Sequence, residues 1–141
     1  MTPVISVRAA VIGGGPAGLM AAEVLAEAGI VVDLFDAMPS VGRKFLLAGK
    51  GGMNLTHAEP RPAFDQRYGG GAALVSPMLD DFGPQALLDW AAGLGVETFV
   101  GSSGRVFPKA MKASPLLRAW LARLEALGVE IRPRSRWTGW T

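Results

Sequence analysis

The spacing of apolar positions changes character along the first part of the chain. Val7–Ile12 is a short apolar run broken only by Arg8, and Gly13 ends it, as expected of a strand buried within a parallel sheet. From Pro16 to Ala28 the spacing lengthens. Leu19, Ala22, Leu25 and Ala26 share one helical face, and Glu23 and Glu27 lie on another. Pro16 suits a first turn and Gly29 is placed to stop the helix. Ile30–Phe35 is apolar again, β-branched at its start, and closes on Asp36. These elements predict a βαβ unit over residues 7–36.

Residues 37–71 are rich in Gly and Pro and read mostly as loop; so long an irregular stretch in a compact domain is usually functional or flexible. A helix is expected from Pro84 to Leu94, with Asp80 and Asp81 suited to its N-terminal side. Val96–Val100 and Arg105–Phe107 read as short strands joined through Gly-Ser-Ser-Gly, a hairpin signal over the 80–108 segment. Ser114-Pro115 opens the clearest helix. Leu116, Leu117, Trp120, Leu121, Leu124 and Leu127 form its stripe, and Gly128 caps it before a third strand at Val129–Ile131, so that helix and strand fill residues 114–132. Three parallel strands with strand 1 at a bare apolar edge are fewer than a doubly wound sheet carries. The chain is therefore expected to be the N-terminal part of a longer protein, with a C-terminal part of the same protein as its structural partner.

Composition narrows the classes. Half of the 141 residues are apolar, yet Glu23, Glu27 and Asp33 interrupt the richest region, so no membrane span is expected. Met1–Ala10 does not carry the ordered features of a secretory leader, and a cytoplasmic location is the default. There is no cysteine and one histidine, which argues against a zinc site and against a thiolate nucleophile. A net charge of +2 does not call for nucleic acid. The tail "RPRSRWTGW" interleaves Arg132, Arg134 and Arg136 with Trp137 and Trp140, a composition that can grip single strands. It reads more simply as a strand end and an exposed loop. Ser102 and Ser103 read as turn residues, and Met78 and Met111 as packing residues.

Gly13, Gly15 and Gly18 stand in G-x-G-x-x-G spacing between the first strand and the helix. The first Gly permits the tight turn, the second leaves room for a pyrophosphate, and the third lets helix and strand approach. With Pro16 and Ala17 they open a helix whose N-terminal N–H groups suit phosphate oxygens. Asp36 follows Gly18 at about the 20-residue distance expected of the acid that accepts from ribose hydroxyls. Asp33 is a competing acid, expected to face solvent. Both NAD and FAD use such a turn. The next segment, "GRKFLLAGKGGMNLTH", favours FAD: Arg43, Lys44 and Lys50 can reach phosphate oxygens, and a glycine loop offers backbone N–H groups to a bulky ring. His57 could move a proton or bind substrate, but it reads more simply as a loop histidine.

"GGGPAG", then "GRKFLLAGKGGMNLTH", then "GRVFPKAMKAS" together resemble the aminoacetone-oxidase-like, BaiN-type NAD(P)/FAD-dependent flavoproteins, from Ala10 to about Arg132. The resemblance implies an α/β, Rossmann-like FAD-binding domain of the glutathione-reductase type with a parallel sheet, incomplete in this chain. It implies FAD bound through Gly13, Gly15, Pro16, Ala17, Gly18, Asp36 and Ala37. Gly42, Arg43 and Lys44 would lie along the cofactor, and the loop Gly49 to Thr56, including Gly51 and Asn54, would lie towards the isoalloxazine. Arg105, Phe107, Pro108 and Lys112 would lie near the active cleft. Many members read G-G-G-R-C-N where this chain has Gly49-Lys50-Gly51-Gly52-Met53-Asn54, so Lys50 is placed to restore a lost charge. The implied activity is an FAD-dependent oxidoreductase passing a hydride or electron pair between a small-molecule substrate and NAD(P)H or oxygen. Lys50, Asn54 and His57 are the candidate catalytic residues. The alternatives are an FAD monooxygenase, an NAD-dependent dehydrogenase, and a non-catalytic dinucleotide-binding module or inactive fragment.

Overall fold

The computed structural model describes residues 7–140. It divides into two compact units, one formed by the chain up to Leu47 together with the chain from Leu117 onward, the other by Ala48–Leu116.

The first unit carries the parallel sheet. Strands β1 (Arg8–Ile12), β2 (Val31–Phe35) and β6 (Glu130–Arg132) lie in the order β1-β2-β6, all parallel, with Ala10 opposite Asp33 and Asp33 opposite Glu130. Helix α1 (Pro16–Glu27) crosses between β1 and β2 and packs on both. The central strand β2 buries Val32 and Leu34, and α1 turns Leu19 and Ala22 inward. Helix α2 (Arg43–Ala48) adds Phe45, which meets Trp120 edge-on with ring centres 6.0 Å apart. Trp120 belongs to α6 (Ala113–Ala126), whose Leu117, Trp120 and Leu124 are buried as the stripe predicts; Leu127 lies past its end and stays exposed. α1 and α6 end alike. Gly29 and Gly128 adopt φ of +80°, and the next N–H turns back onto the helix, Ile30 to Leu25 O at 3.1 Å and Val129 to Leu124 O at 3.0 Å. β1 stands at the sheet edge among the described residues, with Ile12 53% exposed, the bare apolar edge that three strands imply.

Asp33 departs from the sequence reading. Rather than facing solvent, its carboxylate is buried on β2, where it accepts from Arg8 Nη2 at 2.8 Å and Arg132 Nε at 2.9 Å. Ion pairing across three strands outweighs the tendency of a strand aspartate to seek water. The hydrogen bonds from Arg8 and Arg132 hold its pKa below the ordinary carboxylate value. A pKa depressed on folding gives stability that is present above the unfolded value and lost as pH falls through the folded one. Asp33→Asn is therefore expected to flatten the fall of Tm on acidification below about pH 4, the unfolded carboxylate range. An unchanged acid slope in a pH series of thermal melts would show that Asp33 does not contribute there.

The second unit holds an antiparallel sheet in the order β3-β5-β4, from Thr56–His57, Arg105–Pro108 and Thr98–Val100. The β4–β5 hairpin agrees with the sequence. β3 does not stand out there, because two residues carry no period. The segment read as loop also forms α3 (Arg61–Gln66), and α4 (Ala72–Asp81) follows it, with α5 (Pro84–Gly93) after that. α4 is masked in the sequence by Gly69–Gly71 before it and Pro77 inside it. Arg61 ties α3 to α4: it donates to Asp65 at 2.9 Å, Asp80 at 2.8 Å and the Leu79 carbonyl at 2.7 Å. Asp80 and Asp81 thus end α4 and do not open α5, whose N-cap is Gly83. No helix among the described residues is long and apolar enough to cross a membrane.

Candidate functional site

β1 runs into the glycine turn and the turn runs into α1. The Gly13 N–H donates to Phe35 O at 2.8 Å, which carries the β1–β2 pairing one residue past β1, and Gly13 then reverses the chain at φ +102°. A Cβ on Gly18 would stand 1.8 Å from the Gly13 carbonyl oxygen, so α1 lies against the turn as closely as a backbone permits. A Cβ on Gly15 would meet nothing within 4 Å. Gly15 is the N-cap of α1 and offers no side chain to the helix end; Pro16 fills the first position. The first bond into the helix runs from Leu19 N–H to Gly15 O at 2.9 Å. The N–H groups of Ala17 and Gly18 precede it and fall among those a helix leaves unpaired at its start. Open space, unpaired N–H groups and the positive end of a helix dipole coincide there, which is the arrangement that accepts a phosphate.

Asp36 is half-buried beside this turn. Its Oδ2 accepts from Gly14 N–H at 2.6 Å and its Oδ1 from Met38 N–H at 2.7 Å. An ionised carboxylate offers about four lone-pair sites, so acceptor capacity remains for hydroxyls. Gly14, which the three-glycine spacing rule passes over, proves as constrained as its neighbours: a Cβ there would lie 2.3 Å from Val41 Cγ1 and 3.0 Å from Asp36 Oδ2. Three glycines in a row were the available signal. Ala37 follows Asp36 on the surface. The Gly42 N–H donates to Gly14 O at 2.7 Å, which brings Gly42, Arg43 and Lys44 beside the turn. Gly42 itself serves packing, since its φ is +70° and a Cβ would strike Leu117 Cδ2 at 2.6 Å. Arg43 and Lys44 are exposed at the start of α2.

The remaining candidates lie in the second unit. Gly49, Lys50 and Gly51 form a 3-10 turn. Gly49 abuts Ala113, whose Cβ would stand 2.7 Å from a Cβ on Gly49, while Gly51 opens on empty space and Lys50 is exposed. The amide nitrogen of Asn54, oriented to face carbonyls, donates to Thr56 O at 2.9 Å and Val106 O at 3.3 Å. Thr56 is buried in β3. Both nitrogens of His57 are engaged: Nε2 lies 3.0 Å from Ser103 O, and Nδ1 accepts from Glu59 N–H at 3.2 Å. One neutral tautomer satisfies both bonds, so His57 acts as a brace across the β3–β5 pair. It lines a groove of about 490 Å³ with Glu59, Arg61, Asp80 and Gln85. Arg105, Lys112 and Lys50 are exposed.

Comparison with known proteins agrees with the α/β fold. A flavocytochrome c3 fumarate reductase matches 93% of the chain at TM-score 0.69 and 21% identity, and the chain covers 27% of it. The 3-ketosteroid-Δ4-(5α)-dehydrogenase of Rhodococcus jostii RHA1 matches 94% at TM-score 0.60 and 16% identity, with 39% covered. At these identities the likeness concerns the fold alone, which is α/β and Rossmann-like. Ribosomal RNA dihydrouridine synthase of Haemophilus influenzae (strain ATCC 51907 / DSM 11121 / KW20 / Rd) is 45% identical over 53 residues, which are 38% of this chain and 13% of that protein. The chain thus spans well under two thirds of each of these relatives. The profile of the HI0933-like protein Rossmann domain matches residues 7–141, and the chain belongs to that family.

Proposed function

We propose that this chain is the cofactor-holding part of an FAD-dependent oxidoreductase of the aminoacetone-oxidase-like, BaiN-type group, acting on a small-molecule substrate with NAD(P)H or oxygen as the other redox partner. When bound, FAD supplies the hydride or electron-pair transfer; the protein supplies binding, orientation and charge. The observation that carries the reading is the contrast within the glycine turn. Gly18 has no room for a side chain because backbone fills it, whereas Gly15 has room that none of the described residues uses, at a helix N-terminus and in the same turn whose Gly14 N–H holds Asp36. Ala17 and Gly18 N–H groups would hold the pyrophosphate, and the remaining lone pairs of Asp36 the ribose hydroxyls, where its charge also repels a 2′-phosphate. Arg43 and Lys44 add positive charge along the same side. The Gly49–Thr56 segment, with Lys50 and Asn54, would serve the ring end.

The test is native mass spectrometry of the protein purified from its own source, followed by titration with FAD. Retained or acquired FAD, with a visible flavin spectrum that bleaches under NADPH without oxygen, is the expected result. Protein that neither retains FAD nor takes it up at micromolar concentration overturns the reading.

The 45% identity to the Haemophilus influenzae rRNA enzyme favours a second reading, in which the substrate is a uracil ring within RNA. Reduced protein offered unmodified ribosomal RNA and free small-molecule acceptors separates the two: a dihydrouridine mass shift in the RNA supports the second, and turnover of small molecules alone the first.

A further inference from the structure

Met111 is the one non-glycine residue with positive φ among the described residues of the second unit. Its φ is +57°, in the left-handed region, which non-glycine residues seldom occupy. It sits in the short connection between β5 and α6. What the conformation achieves is contact with the glycine turn. The Met111 carbonyl accepts from Met53 N–H at 3.2 Å, and its own N–H donates to Pro108 O at 2.8 Å. Its Cε reaches over Gly52, so close that a Cβ on Gly52 would lie 2.7 Å from it and 3.7 Å from the Phe107 ring. Gly52 is itself at φ +108°, a conformation that suits glycine. Two residues on, Ala113 abuts Gly49 at the other end of the same turn. Backbone and side chain of 111–113 thus grip both ends of Gly49–Met53, while Gly51 between them faces open space.

We infer that Met111 is a positioning residue, a clasp whose left-handed backbone and thioether fix the Gly49–Met53 turn in the shape it presents to the ring end of the cofactor. Strain held at one residue and repaid by order in its neighbour is common beside functional sites. Toward the cofactor the inference rests on the FAD reading above; toward the turn it stands on the contacts alone.

Two substitutions test the side chain. Met111→Gly relieves the φ strain, retains both backbone hydrogen bonds and removes the thioether. Met111→Leu keeps the bulk over Gly52. Hydrogen exchange of residues 50–54 in cofactor-free protein is expected to quicken about tenfold in M111G, the signature of a locally loosened segment, and to return to within about twofold of the parent in M111L. Exchange elsewhere, including α1, stays unchanged. In FAD-loaded protein M111G is expected to show an altered visible circular dichroism of the flavin that M111L restores. Unchanged exchange at 50–54 in M111G overturns the clasp. Faster exchange with an unchanged flavin signal overturns its role toward the cofactor. A parent protein that takes up no FAD overturns the FAD reading and the clasp's cofactor role together, while the exchange result still decides the clasp itself.

Discussion

Gly15→Ala is expected to yield a folded protein that no longer holds FAD. The new methyl meets nothing within 4 Å, and Gly15 already has φ −78°, a value alanine adopts without strain. Its cost to the fold is that of alanine at an N-cap, no more than about 1 kcal/mol. On the proposed reading the methyl occupies the space a pyrophosphate would enter, and affinity is expected to fall about 100-fold or more, near 3 kcal/mol. Gly18→Ala should instead act on the fold itself. Its methyl would lie 1.8 Å from Gly13 O and 3.0 Å from Gly13 C. That peptide cannot retreat, because Gly13 N–H is bound to Phe35 O and Gly13 is already at φ +102°. The clash is backbone against backbone, so overpacking at the upper end of its usual range, about 3 kcal/mol, is expected, with loss of binding as a consequence of misfolding. Urea unfolding followed by circular dichroism, alongside quenching of FAD fluorescence, measures both. If G18A is as stable as the parent, the close approach of α1 to the turn is wrong. If G15A binds FAD normally, the phosphate does not lie there.

The first unit was legible because its elements obey simple periods. β1, α1, β2 and β6 each begin and end within a residue or two of where apolar spacing, Pro16, Gly29 and Gly128 place them. Gly13, Gly15, Gly18 and Asp36 came together because the βαβ unit leaves them no other place. What escaped were contacts between residues distant in sequence. Nothing in a linear reading marks Asp33 as the meeting point of Arg8 and Arg132, or Gly14 as enclosed by Val41 and Asp36. In the second unit local signals conflict. Pro77 and three glycines argue against a helix that Arg61 stabilises from another element, and β3 is too short to show alternation. His57 draws notice as the lone histidine, yet its ring is held by Ser103 O and Glu59 N–H. Met111 reads as packing in the sequence and acquires a role through a backbone angle that sequence does not display.

Glu23 gives the other large expected effect, and periodicity misjudges it too. It falls on the polar face of α1, yet it is 2% exposed. Its Oε2 accepts from the Trp120 indole N–H at 2.5 Å and its Oε1 from Arg123 Nη1 at 2.9 Å, so α1 is fastened to α6 by a buried carboxylate. Glu23→Ala removes that carboxylate from a buried indole N–H and from a guanidinium that remains mostly enclosed. Breaking one side of a buried ion pair costs about 3–5 kcal/mol. Arg123 is 25% exposed, and the hydration it gains places the expectation near the lower end, about 3 kcal/mol. Glu23→Gln keeps an oxygen for Trp120 and loses the charge, so about half that loss is expected, in the range of a hydrogen bond to a charged group. Replacing both ionic partners, as in Glu23→Met with Arg123→Met, should recover much of the E23A loss, since an apolar pair of similar volume leaves no unpaired charge behind. Urea midpoints of the three variants order these cases. If E23A unfolds within about 1 kcal/mol of the parent, below the range for such a pair, then apolar packing alone holds α1 to α6. The orientation of the N-terminal end of α1 would then owe nothing to Glu23.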